Sequence, residues 1–120
     1  MDCPYCGKTA LFMSSKDFYG KDFGSNMYVC KSCDAYVGTH GNSKAPLGTM
    51  ANAQLRSLRK AAHSLFDPLW KGRKMSRDGA YRWLQDNMNL PADKAHIGML
   101  NDDQCKELIQ KLKTYRFGAN

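Results

Sequence analysis

The sequence predicts an α+β chain: a short β-rich module first, then three or four helices. Three observations carry this. Two Cys-x-x-Cys pairs stand at Cys3/Cys6 and Cys30/Cys33. Short apolar runs broken by glycines lie between and just after them. From about Met50 onward the apolar period lengthens to that of a helix.

Cys3-Pro4-Tyr5-Cys6-Gly7 and Cys30-Lys31-Ser32-Cys33 each place two residues between cysteines. That spacing lets one tight turn aim both sulfurs at a single point, and Gly7 stands where such a turn needs a positive φ. Two turns of this kind supply the four thiolates of a tetrahedral zinc site with no position left open for catalysis. The 23 residues between the knuckles, 7 to 29, slightly exceed the usual interval and fit a zinc ribbon with an extended hairpin. The expectation is therefore one structural Zn2+ on Cys3, Cys6, Cys30 and Cys33. A thioredoxin-like redox role is the competing reading, and no βαβ pattern surrounds either pair. The fifth cysteine, Cys105, shares an apolar helical stripe with Leu108, Ile109 and Leu112 and reads as a small buried side chain.

Thr9 to Ser14 and Met27 to Cys30 read as the two strands of the hairpin, and Ala35 to Gly38 as a third strand. The hairpin tip holds a near-repeat, Lys16-Asp17-Phe18 and Lys21-Asp22-Phe23, which its glycines mark as a turn. The tip aromatics are expected to cover the small core. Residues 39–49 read as a linker, so the domain division is 1–44 for the ribbon and 45–120 for the helical region. Leu55, Leu58, Ala62, Leu65 and Phe66 make the first helix, with Thr49 as a possible N-cap. Asp67-Pro68 reads as a new N-cap with proline at the first helical position, opening a short turn through Trp70. Ser76 is placed to cap a helix carrying Ala80, Tyr81, Trp83, Leu84 and Met88, which ends at Asn89 to Pro91. Asn101 with Gln104 resembles a capping box for a last helix to about Tyr115.

Of the 120 residues, 42% are apolar and 24% charged, a globular balance. No stretch approaches the roughly 18 consecutive apolar residues of a membrane helix. The start has neither a basic region nor an apolar run, so the expected compartment is the cytoplasm, with no membrane partner. Net charge is +7, and it is unevenly placed. Residues 1–50 carry +1 and residues 83–120 zero, so residues 51–82 hold +6. A four-thiolate zinc site, itself net −2, leaves the ribbon slightly negative. Arg56, Arg59, Lys60 and His63 follow one another on the first helix, opposite its leucines, and read as a basic ridge. Lys71, Arg73, Lys74 and Arg77 extend it. Several cations on one surface are what phosphate neutralisation needs.

His40 with Asn42 and His63 raises a nuclease reading, but the spacing matches no His-Asn-His arrangement and no acidic cluster accompanies it. No catalytic residue is assigned, and the chain is expected not to be an enzyme. His40 and His96 read as structural, locking loops.

The strings Cys3-Pro-Tyr-Cys-Gly, Tyr28-Val-Cys-Lys-Ser-Cys-Asp-Ala-Tyr-Val-Gly-Thr-His40, Pro46-Leu-Gly-Thr-Met-Ala, Leu55-Arg56, Arg59-Lys-Ala-Ala-His63 and Phe66-Asp-Pro-Leu-Trp70 together resemble a family. It is the zinc-finger-containing domain family of bacteriophages and prophages. The likeness continues through Ser76-Arg77, Ala80-Tyr-Arg-Trp-Leu84, His96-Ile-Gly98 and Gln104-Cys105. It implies a phage-borne zinc-binding accessory protein and carries the four knuckle cysteines over as metal ligands. It transfers no catalytic residue. The ribbon alone is also similar to small restriction-alleviation proteins.

Two functions follow as expectations. The first is binding of nucleic acid, DNA or RNA, through the basic helix. The second is a protein–protein module that docks on a host defence or nucleic-acid-processing protein.

Overall fold

The computed structural model describes residues 1–72 and 74–116. The chain divides into two compact units, Met1–Ala53 and Gln54–Asn120.

The first unit is a three-stranded antiparallel sheet in the order β1 (Leu11–Ser14), β2 (Asn26–Cys30), β3 (Ala35–Gly38). Its register pairs Phe12 with Tyr28, Tyr28 with Val37, and Cys30 with Ala35. Because strand side chains alternate, these residues share one face. Cys30, Ala35 and Val37 are buried there with Cys3, Ala10 and Met50, and Tyr28 and Cys33 pack against them. Met27 and Val29 are buried on the opposite face.

Two features of the first unit depart from the sequence expectation. The hairpin tip is not a simple turn: it begins with a short helix, α1 (Ser15–Tyr19). The Ser14 hydroxyl caps it by accepting from the Asp17 N–H at 3.1 Å, and Gly20 ends it in the left-handed region at φ 77°. Ser15 is fully buried, and its hydroxyl accepts from the Phe23 N–H at 3.0 Å, which ties the tip together. Phe18 packs its ring 4.8 Å from Tyr36, as expected of a core cover, while Tyr19 and Phe23 stay half exposed or more.

The second departure is the extent of the unit, which runs to Ala53 rather than residue 44. Segment 45–52 is bonded into the sheet. Ala51 and Tyr36 exchange backbone hydrogen bonds at 3.0 and 3.1 Å, Pro46 bridges Thr39, and Met50 is 1% exposed in the core. Thr49 therefore does not cap the first long helix, which starts at Ala53.

The second unit takes over at the second residue of α2 (Ala53–Phe66) and holds α3 (Pro68–Lys71), α4 (Arg77–Met88) and α5 (Asp102–Arg116). Leu55, Ala62 and Phe66 form the buried stripe of α2, and Ala80, Leu84 and Met88 that of α4. Cys105, Leu108 and Leu112 are fully buried on α5, with Leu69 from α3 and Ala95, Ile97 and Leu100 from the connection between α4 and α5. Burial pushes the Cys105 thiol up, in keeping with an inert core side chain.

The α2–α3 junction is a break within a nearly helical path. Asp67 has helical angles (φ −57°, ψ −37°) and makes no side-chain capping bond, contrary to the N-cap expected of it. Pro68, which lacks an N–H, interrupts the ladder there. Ser76 does cap α4, accepting from Gly79 N–H at 3.0 Å. Asn101 and Gln104 form a reciprocal capping box at 2.8 and 2.9 Å.

Candidate metal centre and basic surface

Each knuckle is built by its own turn. In the first, the Gly7 N–H donates to the Cys3 carbonyl at 2.8 Å, and Gly7 sits at φ 78°. In the second, Lys31–Cys33 form a 3₁₀ turn closed by the Asp34 N–H donating to the Lys31 carbonyl at 3.2 Å. Asp34 is itself left-handed, at φ 50° and ψ 41°. The residue after the second cysteine thus takes a positive φ in both knuckles. Glycine signals that in the first; aspartate, which tolerates it better than most side chains, signals it more weakly in the second.

The two turns bring Cys3, Cys6, Cys30 and Cys33 together, with all four sulfurs within 4.8 Å of one another. All four are free thiols. Four sulfurs about 2.3 Å from a tetrahedral zinc stand roughly 3.8 Å apart along each edge. The Cys6–Cys30 Sγ separation is 3.7 Å, close to that edge length. Donor type, number and spacing fit one structural Zn2+, whose chemistry there is to fix two turns rather than to activate a substrate.

The electrostatics of the thiols agree with a ligand set. The Ser32 hydroxyl, 3.4 Å from the Cys30 sulfur, and then the Cys33 backbone N–H favour the thiolate and lower Cys30 to about 6. Cys33 is pushed up to about 12, first by its hydrogen bond with Cys6 and then by burial. Sulfurs this close cannot all ionise without a cation, and zinc supplies it.

The residues expected on the basic surface separate into groups. Lys60, His63 and Lys71 line one hollow of about 570 Å³ with Ser64 and Asp67. Asp67 lies 3.5 Å from His63 Nδ1 and 3.7 Å from Lys71 Nζ, so an acid sits among these cations. Arg59 points elsewhere: its Nε and Nη2 donate to the Leu100 carbonyl at 3.2 and 2.9 Å. It fastens α2 to the segment before α5. Arg56 is half-buried, whereas Lys74 and Arg77 are exposed. Arg77 lies over the Trp70 and Tyr81 rings, at 5.6 and 5.1 Å. Arg73 lies outside the described residues.

The histidines expected to lock loops do so differently. For His40 the backbone does the work: its N–H donates to Ala45 and its carbonyl accepts from Ser43. The His96 ring packs 5.6 Å from Tyr81. Sequence reasoning missed the Arg59–Leu100 clamp and the ring partners of Arg77. Both join residues from different elements, and no local spacing encodes them.

A family model described as a zinc-finger-containing domain matches residues 1–115. No curated protein and no solved structure matches the chain. No described helix is long and apolar enough to cross a membrane.

Proposed function

The chain belongs to the zinc-finger-containing domain family, and we propose that it acts as a nucleic-acid-binding accessory protein in which zinc shapes one unit and the other grips phosphate. One observation carries the reading: residues 51–82 hold +6 of the chain's +7. Within that segment Lys60, Lys71, Lys74, Arg77 and Arg82 are exposed. The resemblance to phage and prophage proteins supports an accessory role in a host cytoplasm. A metal site with four protein thiolates leaves no coordination position for substrate, which supports binding rather than catalysis.

The test is affinity for DNA and for RNA oligonucleotides across a salt series. Three to five phosphate contacts give a log–log slope of roughly −3 to −5 on duplex DNA. The triple variant Lys60→Ala, Lys71→Ala, Lys74→Ala is expected to weaken binding and flatten that slope by about 3. No binding at low salt overturns the reading.

A second reading is favoured by the first unit. Leu11, Phe12 and Leu47 are 53%, 44% and 56% exposed, which suits a protein surface. Under it the chain docks on a host protein. Capture of one host protein that survives nuclease treatment, and is lost in Phe12→Ser, favours this second reading over the first.

A further inference from the structure

Arg77 combines two properties that the other described cations of residues 51–82 do not visibly share. It lies over two rings, and among the described residues its donors are unpaired. The guanidinium lies over the Tyr81 ring at 5.1 Å and the Trp70 ring at 5.6 Å, both within cation–π range. Tyr81 is one helical turn further along α4, and Trp70 belongs to α3. Two elements therefore hold one side chain. Yet among the described residues Arg77 has no hydrogen bond and no ion pair, and the side chain is exposed. Its five N–H donors meet no acceptor among the described residues.

The neighbouring cations differ. Arg59 is bonded to a carbonyl, and Lys71 is paired with Asp67. Lys74 has charge and exposure but no ring to hold it. Ring contacts restrain a guanidinium through its faces and leave the edge donors available. An arginine already restrained loses less freedom when it binds, and its planar fork matches the oxygens of a phosphate two at a time. Lys71 lies 5.4 Å from the same Trp70 ring.

We propose that Arg77, positioned by Trp70 and Tyr81, is a preformed bidentate receptor for a phosphate group and the anchor of the basic surface. As a contact to a nucleic-acid strand this rests on the function proposed above. The phosphate chemistry itself does not. The α2 cations then supply long-range attraction, and Arg77 supplies geometry.

The test has two arms on the full zinc-loaded chain. In the first, oligonucleotide affinity is measured for the unaltered protein, Arg77→Lys and Arg77→Ala. Lysine keeps the charge and loses the fork, so Arg77→Lys is expected to weaken binding about five- to tenfold with the salt slope kept. Arg77→Ala is expected to weaken it at least as much, with the slope shallower by about 0.9. Full affinity in Arg77→Lys overturns the receptor and leaves a point charge. In the second arm the Arg77 Nε–Hε NMR signal of the unaltered chain is followed during titration with inorganic phosphate. A saturable shift supports the receptor even where no oligonucleotide binds, and that combination overturns only the nucleic-acid reading. A signal that responds to neither ligand overturns the receptor. Because this arm needs no variant, misfolding of a substituted chain cannot mimic success or failure.

Discussion

The buried cluster of the first unit is made of small side chains: Cys3, Ala10, Cys30, Ala35 and Val37, with Met50 the largest. In the second unit Phe66, Leu69, Leu84, Leu100, Leu108 and Leu112 are all buried to 1% exposure or less. Both units are short, Met1–Ala53 and Gln54–Asn120, and units of that length rarely gain enough from apolar burial alone. The second does it by threading leucines along three long helices. The first has two of its core positions occupied by metal ligands and reserves much apolar surface for solvent, including Leu11 and Phe12. A structural zinc, worth about 10–16 kcal/mol in isolated zinc-finger peptides, takes the place of a larger core. The difference teaches that the metal and the charge excess sit in separate units. The zinc unit is near neutral by sequence, and the helical unit carries the excess.

Breaking one ligand is expected to have the largest effect and to fall on one unit. Cys33→Ser leaves three thiolates for the metal, and the first unit is expected to lose its zinc and its sheet. The helices of the second unit persist, so far-UV circular dichroism retains its helical signal. Acid sharpens the same contrast. Unfolded thiols titrate near 8.5; without a metal Cys30 is lowered to about 6 and Cys33 raised to about 12, and the metal's charge holds all four sulfurs as thiolates, so in the zinc-loaded unit every value is lowered. Lowered folded-state values mean that stability is complete above about 8.5 and falls as pH falls, because unfolding then takes up protons. The thermal midpoint of the first unit is expected to drop steadily from pH 8 to pH 5.5, while that of the second unit moves little.

Next is the apolar core of the second unit. Phe66 is fully buried and edge-on to Tyr81, with centroids 5.3 Å apart. Phe66→Ala is expected to cost about 3–5 kcal/mol in denaturant unfolding, with zinc content unchanged. The smallest effect is expected at a helix end. Asn101→Ala removes the acceptor of the Gln104 N–H and is expected to cost about 1 kcal/mol, read on the same unit.

The knuckles, the three strands and the caps at Ser76 and Asn101 were legible in the sequence because each is a local pattern. Two residues between cysteines, or a polar residue three before its partner, decides the geometry within one turn. Elements fixed by neighbours far along the chain were not. Helix α1 spans five residues, too few for a period, and the glycines around it pointed to a turn. Met50 and Ala51 look like the start of the leucine stripe, yet Ala51 pairs with Tyr36, so the apolar pattern alone could not place the end of the first unit. Asp67 stood before a proline, the position of an N-cap, but its backbone stays helical and its carboxylate serves Lys71 and His63. The four metal ligands were all legible. On the basic surface the net charge was legible, and the commitment of each cation was not. Arg59 is held by a carbonyl 41 residues away, and Arg77 by rings on two helices.

The central claim is that zinc holds the first unit while the second stands on its own core. Amide ¹H–¹⁵N spectra of the zinc-loaded chain, recorded before and after a strong chelator, test it most directly. We expect one zinc released per chain and loss of dispersion for residues 1–53, with the signals of 54–116 retained. Dispersion kept throughout after the metal has left, or lost in both units together, contradicts it.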